Sequence, residues 1–260
     1  MNDEELLHYF DQEVRQAKGI VADNYVREVA DGVRRTIGPF PSAAHNWIDR
    51  CDTDDVGASI EAQINRYASI GHAFRWKVYS HDQPADLAGQ LKARGFKPWE
   101  EVAALMILDL SEFELRYPSG FVYLRLKDPA QLQNELRPIM DQVWTEGSDD
   151  LVRALADELR SCGDHVSIYV AKQAGETVAS GVLRFGERFT MGGLFGGATI
   201  PPVRGQGLYR GIVSSRVEAA RELGADYLYT EAGSMSRPIL ERLGFKDLST
   251  ITNYVRDSGT

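Results

Sequence analysis

The chain has 260 residues, a formal net charge of −9 at pH 7 and 43% hydrophobic residues, enough for one large domain or two small ones. The acidic balance argues against nucleic acid or an anionic membrane surface as the main partner, and no apolar run is long enough to span a bilayer. The start Met1-Asn2-Asp3-Glu4-Glu5 is unlike a signal peptide, and Cys51 and Cys162 lack metal-ligand spacing. The expectation is a cytoplasmic protein, monomer or homodimer, without disulfides or metal.

A helical run, Asp3 to Lys18, opens the chain, followed by a hairpin, Tyr25 to Ile37, around Asp31-Gly32. His45 to Cys51 reads as a strand and runs into the acidic stretch Asp52-Thr53-Asp54-Asp55. The stripe Ile60, Ile64, Ala68 marks a helix, Lys77-Val78-Tyr79 a short strand, and Leu91 to Phe96 a second helix and its exit. Leu105 to Leu110 is expected to close this first sheet. The turn residues Tyr117-Pro118-Ser119-Gly120 put a boundary near 111–119.

Beyond it, Phe121 to Leu126 alternates as a strand. Asp128-Pro129 starts a helix running toward Trp144, and a second helix begins near Ser148-Asp149-Asp150. Val166 to Ala171 and Thr177 to Phe185 form a strand pair joined at Ala174-Gly175. Arg188 to Ile200 is the next strand. Its glycines 192, 193, 196 and 197 suit either a tight backbone crossing or a close ligand approach.

That strand feeds the loop Pro201-Pro202-Val203-Arg204-Gly205-Gln206-Gly207-Leu208-Tyr209-Arg210, which runs straight into an amphipathic helix. Glycines 205 and 207 let the backbone approach an anion with its N–H groups turned inward. The helix adds unpaired amides and the positive end of its dipole, and Arg204 adds a cation. The loop reads as a pyrophosphate cradle. No Gly-Lys pair makes it a kinase-type loop, and a dinucleotide fingerprint would need glycine where Arg210 stands. Downstream, Tyr227 to Ala232 forms a strand leading through Gly233-Ser234-Met235-Ser236 into a helix that ends Leu240-Glu241-Arg242-Leu243-Gly244-Phe245.

The Arg-x-x-Gly loop and the Leu-x-x-x-Gly-Phe ending, in that order, resemble the coenzyme A loop and closing elements of the GNAT acetyltransferases. The element order over 119–256 is similar to a complete GNAT domain. The resemblance implies an α/β (α+β) fold with a mixed, mostly antiparallel sheet flanked by helices. It implies acetyl-CoA as acyl donor, no metal, and a primary amine, of a small molecule, as acceptor. The coenzyme contacts carried over are the strand residues Ala198, Thr199 and Ile200, the loop residues Arg204, Gly205, Gln206, Gly207, Leu208 and Tyr209, and Ser234 and Ser236 for the pantetheine amides.

The chain departs from the family pattern in four places. Tyr209 replaces a small residue, so its ring must turn away from the phosphates or cover them. Leu240 stands where many relatives carry a proton-donating tyrosine, and Gly233 replaces a frequent asparagine. No carboxylate lies between Phe189 and Ile200, which leaves Glu231 as the base candidate, against its plain reading as an exposed strand-end carboxylate. Glu146, Asp149 and Asp150 would attract a cationic acceptor or simply open a helix. Trp144, Tyr227, Tyr229 and Tyr254 read as packing residues, with an acceptor-pocket role open to Trp144, and His165 as surface. The missing acid keeps open a non-catalytic acyl-CoA-binding sensor or interaction module, and a protein amino group is a further possible acceptor.

The frame Leu91 to Lys97 recurs at Leu240 to Lys246, with Gly95 and Gly244 lying 149 positions apart. The same offset lays the stripe Ile60, Ile64, Ala68 over Tyr209, Val213, Val217, and Lys77-Val78-Tyr79 over Asp226-Tyr227-Leu228. It also sets Asp55 against Arg204 and Ala58 against Gly207, a substitution that repels phosphate. Residues 1–115 are therefore expected to form a truncated GNAT-like domain without coenzyme, and 119–260 the complete domain.

Overall fold

The computed structural model describes residues 1–99, 101–143 and 148–258. Asn2 and Glu5 form a reciprocal cap on α1 (Asp3–Phe10), which widens into a π-helical turn, Asp11–Gln16. The hairpin β1 (Val26–Ala30) and β2 (Val33–Ile37) turns on Asp31 and Gly32 at φ 54° and 74°, the left-handed pair that matches strand twist. There follow β3 (Asn46–Cys51), α2 (Val56–Ser69), β4 (Phe74–Tyr79), α3 (Leu87–Ala93), the short β5 (Lys97–Pro98) and β6 (Ala103–Asp109).

The second half runs β7 (Val122–Leu126), α4 (Leu132–Glu135), α5 (Arg137–Val143), α6 (Ser148–Ser161), β8 (Val166–Gln173), β9 (Glu176–Phe185), β10 (Met191–Thr199), α7 (Leu208–Glu222), β11 (Tyr227–Ala232), α8 (Arg237–Arg242) and β12 (Lys246–Arg256). The single helix expected from Pro129 is instead a 3-10 turn, Pro129–Gln131, followed by α4 and α5. Pro138 explains the break: it has no N–H to return to Asn134, and its ring crowds that carbonyl. Trp144 and Glu146 lie outside the described residues.

Both halves share one sheet, ordered β1-β2-β3-β4-β12-β6-β11-β10-β9-β8-β7, with β5 on β12. The last strand of each half lies among the strands of the other. β6 pairs with β11 from Tyr227↔Asp109 to Ala232↔Ala104, and β12 pairs with β4 from Ile251↔Tyr79 to Arg256↔Phe74. Leu105 to Leu110 thus does not close a separate first sheet. The exchange covers the open edges of β4 and β11 and buries Ala104 to Leu108 at the centre of the molecule.

The parallel contacts are short. β10 meets β11 only from Met191↔Tyr227 to Gly193↔Tyr229, and β3 meets β4 only at Trp47↔Arg75 and Ile48↔Trp76. Past Gly193 the Thr230 hydroxyl donates to the Leu194 carbonyl at 2.9 Å, and then the strands part. One sheet face carries α7 and α8 over Leu194, Leu228 and Ala232, and α2 and α3 over Ile48 and Trp76. The other carries α1 over Tyr79, Leu105 and Ile251, and α4 to α6 over Ile168 and Val182.

Candidate active site

At Gly193 a Cβ would stand 2.4 Å from Phe195 and 2.7 Å from Tyr229, so the first glycine pair of β10 answers a tight side-chain crossing. The second pair lies at a bulge between Phe195 and Ala198, where Gly196 takes φ +56°. This bulge carries β10 away from β11. The Ile200 N–H bonds back to Val178 on β9 at 3.0 Å. By strand alternation, the Thr199 N–H and carbonyl therefore face away from β9, and that carbonyl accepts from Arg204 Nε at 3.0 Å. Ala198 is buried and Ile200 half-buried.

The loop then makes a 3-10 turn, Pro201–Val203, before α7, whose N-cap is Gly207 at φ 81° with no capping side chain. Gly211 N–H is the first to return to the loop, bonding Gly207. The N–H groups of residues 205 to 210 have no acceptor among the described residues. Residues 204 to 207 are exposed, and Leu208 is buried as the first apolar anchor of the helix. The Tyr209 ring is turned inward against Gly197, which leaves the loop uncovered. In the first half, by contrast, the Asp55 carboxylate accepts from Ala58 N–H at 2.9 Å and caps α2. The equivalent helix terminus there is closed by a negative charge.

On the far side of the parting strands lies a cavity of about 280 Å³ between the two halves. β4 presents Arg75, Lys77 and Tyr79 to it, β11 presents Tyr229 and Glu231, and β10 presents Phe195. Glu231 is not an exposed strand end. Its carboxylate accepts from Lys77 Nζ at 2.6 and 2.8 Å and from the Tyr79 hydroxyl at 3.3 Å. Burial alone would push this carboxyl up, but the Lys77 ammonium, with Arg75 and the Tyr79 hydroxyl, outweighs that and holds it below the usual carboxylate range. Burial pulls Lys77 down from the ordinary lysine value, and Arg75 adds to the effect against the opposing pull of Glu231.

Other expected residues have different company. Ser234 gives both its N–H and its hydroxyl to Glu101, at 2.6 and 2.8 Å, so a carboxylate of the first half already holds the group expected to face pantetheine. The Ser236 hydroxyl bonds Gly233 carbonyl at 3.3 Å and does not cap α8. Asp149 opens α6 in an ion pair with Arg137, and neither it nor Asp150 lines the cavity. His165 stacks on Phe189 and bonds the Gly186 carbonyl. Sequence reasoning missed Arg75, Lys77 and Tyr79. Their signal is the alternation Phe74-Arg75-Trp76-Lys77-Val78-Tyr79, which puts two cations on the inner face of a buried strand.

No family model matches the sequence, and no curated protein matches it. Solved structures do. A GCN5-related N-acetyltransferase from Kribbella flavida superposes with TM-score 0.72 at 13% identity, covering 100% of this chain and 96% of that one. A tandem GNAT protein from the clavulanic acid biosynthesis pathway gives TM-score 0.64 at 10% identity over 93% and 86% of the two chains. A GCN5-related N-acetyltransferase from Sphaerobacter thermophilus gives 0.61 at 9% identity over 98% and 85%. The chain has the GNAT fold from end to end. Among the described residues no helix is long and apolar enough to cross a membrane.

Proposed function

We propose that the chain is a cytoplasmic acetyl-CoA-dependent N-acetyltransferase acting on the primary amine of a small molecule. Residues 119–260 hold the coenzyme, and residues 1–115 wall the acceptor cavity without binding coenzyme themselves. The observation that carries this reading is the run of unpaired N–H groups at 205 to 210, set at an uncapped helix start beside the parting strands. Such a terminus suits a pyrophosphate, and Arg204 stands beside it. The Thr199 N–H, turned away from β9, is the group that would meet a pantetheine amide, its carbonyl being held by Arg204.

Bound acetyl-CoA supplies an acyl carbon activated as a thioester. The chain's part is to hold an amine against that carbon and to take up its proton as the C–N bond forms and the C–S bond breaks. Alignment alone is worth about 7 kcal/mol or more, so few side chains are needed. Glu231, ionised at neutral pH and facing the cavity, is the proton acceptor in this reading, with Lys77 and Tyr79 fixing its position. The departing thiolate has only Leu240 where a tyrosine acid would stand and takes its proton from solvent.

Calorimetric titration of acetyl-CoA into the wild-type chain and Arg204→Glu tests the reading. Binding by the former, loss by the latter and equal unfolding temperatures are expected; equal affinity would refute it. A second reading, a non-catalytic acyl-CoA-binding sensor or interaction module, is favoured by Leu240 and by the ion pair that weakens Glu231 as a base. Free thiol release on incubation with acetyl-CoA and a panel of amines separates the two.

A further inference from the structure

The charges that line the cavity are paired, with one exception. Arg27 meets Asp49 at 2.7 Å, Arg184 meets Glu158 at 2.7 Å and Lys77 meets Glu231 at 2.6 Å. Arg75 has no carboxylate within ion-pair distance among the described residues, and its guanidinium makes no hydrogen bond to any of them. Its Nε is fully enclosed and without a partner. The guanidinium stands between the rings of Trp47 and Trp99, 5.8 and 5.5 Å from their centroids. Burial lowers its pKa, opposed chiefly by Glu231.

A half-buried cation whose Nε is enclosed and whose guanidinium has no hydrogen bond among the described residues carries a desolvation cost. Two aromatic faces offset part of that cost, but they leave the planar fork of donors free. That fork matches a carboxylate in two-point contact. Position narrows the ligand further. Arg75 and Lys77 lie one strand repeat apart on the same face of β4, about 7 Å along the strand, and Lys77 carries Glu231. An acceptor whose carboxylate meets Arg75 therefore brings an amino group only a few bonds away to Glu231. The remaining walls include Tyr25, Trp47, Phe195 and Tyr229, and a volume of about 280 Å³ sits at the small end of ligand pockets. It suits a single amino acid and not a peptide.

We propose that the acceptor is an amino acid with an apolar or aromatic side chain, and that Arg75, from the half expected to lack coenzyme, is the residue that binds its carboxylate. The inference concerns the acceptor of the transfer proposed above and rests on that reading for the amine's fate, but not for the binding. It also reverses the expectation that acidic residues draw in a cationic acceptor: the cavity has a cation to spare.

The test is calorimetric titration of amino acids and of their carboxamides, pair by pair, into the full chain with coenzyme A present. The free acids are expected to bind about tenfold or more tightly than the amides. Arg75→Gln should abolish that preference, and Arg75→Lys should retain part of it. Equal affinity of acid and amide, a preference that survives in Arg75→Gln, or no binding of any amino acid overturns the proposal. The acid–amide comparison on the unaltered chain stands even if a variant fails to fold. Amino acids that bind through Arg75 without releasing thiol leave this inference standing and remove the transferase reading. Thiol release from acids and amides alike, indifferent to Arg75, does the reverse.

Discussion

Lys77→Met is the most informative single change, because it keeps the packed stem of the side chain and removes only the cation. Lys77 and Glu231 are 11% and 19% exposed and 154 positions apart in sequence. After the change Glu231 keeps only the Tyr79 hydroxyl at 3.3 Å and the field of Arg75. Removing one partner of a buried pair costs about 3–5 kcal/mol; with Arg75 still near, the lower end, about 3 kcal/mol, is expected. In a chain of this length each kcal/mol moves the midpoint by about 2–4 °C, so unfolding should fall by roughly 6–12 °C. Glu231→Gln and the double variant complete a cycle, whose two single costs should exceed the double by about 3 kcal/mol. Without the Lys77 ammonium, burial raises the Glu231 pKa. If Glu231 takes the amine's proton, the acid limb of thiol release against pH must move up in Lys77→Met. Additive costs in the cycle would refute the pairing, and an unmoved limb would remove Glu231 from the chemistry.

Gly207→Ala forces a left-handed residue at φ 81° and brings a Cβ to 3.0 Å from Pro118; it should cost about 1–2 kcal/mol and weaken acetyl-CoA binding, both measurable by calorimetry. At Gly211 a Cβ would lie 2.2 Å from the Tyr123 hydroxyl, so Gly211→Ala should lose about 1–3 kcal/mol. That hydroxyl is buried without a partner, so Tyr123→Phe should be neutral or stabilising in urea melts and should partly rescue Gly211→Ala. Glu231 has its folded pKa below the ordinary 4.5. Its contribution is thus present above 4.5 and lost as pH falls through the lower folded value. Stability against pH should flatten over that window in Glu231→Gln.

The parts of the molecule that could be read in advance are those specified locally. Asp31-Gly32 and Ala174-Gly175 mark tight turns, and both pairs take positive φ. The glycines of the loop and the frame ending Gly244-Phe245 mark α7, β11 and α8 in order. The repeat was visible as well: α3 and α8 begin at 87 and 237, close to the offset of 149 between Gly95 and Gly244. What escaped depends on contacts across long stretches of chain. Hydrophobic pattern says that Leu105 to Leu110 is a buried strand, but not that its neighbours are β11 and β12. In sequence Glu231 is a base candidate or a plain strand-end carboxylate, and nothing near it along the chain reveals its partner Lys77. Pro138 was present to be read, and its effect on the helix from Pro129 is a local one that the Asp128-Pro129 start signal obscured.

The exchange of β6 and β12 has a consequence for how the chain is made. Both sheet neighbours of β6, and one neighbour of β4, belong to the later half. While synthesis proceeds, β6 emerges long before either of its sheet neighbours exists, and β4 emerges with only β3 to pair with. The hydrogen-bonding groups of β4 on that side stay open until Lys246 to Arg256 leaves the ribosome. A nascent chain stalled anywhere before that point exposes a sticky edge, so the emergence of β12, and not completion of the first hundred residues, sets when this edge is safe from aggregation.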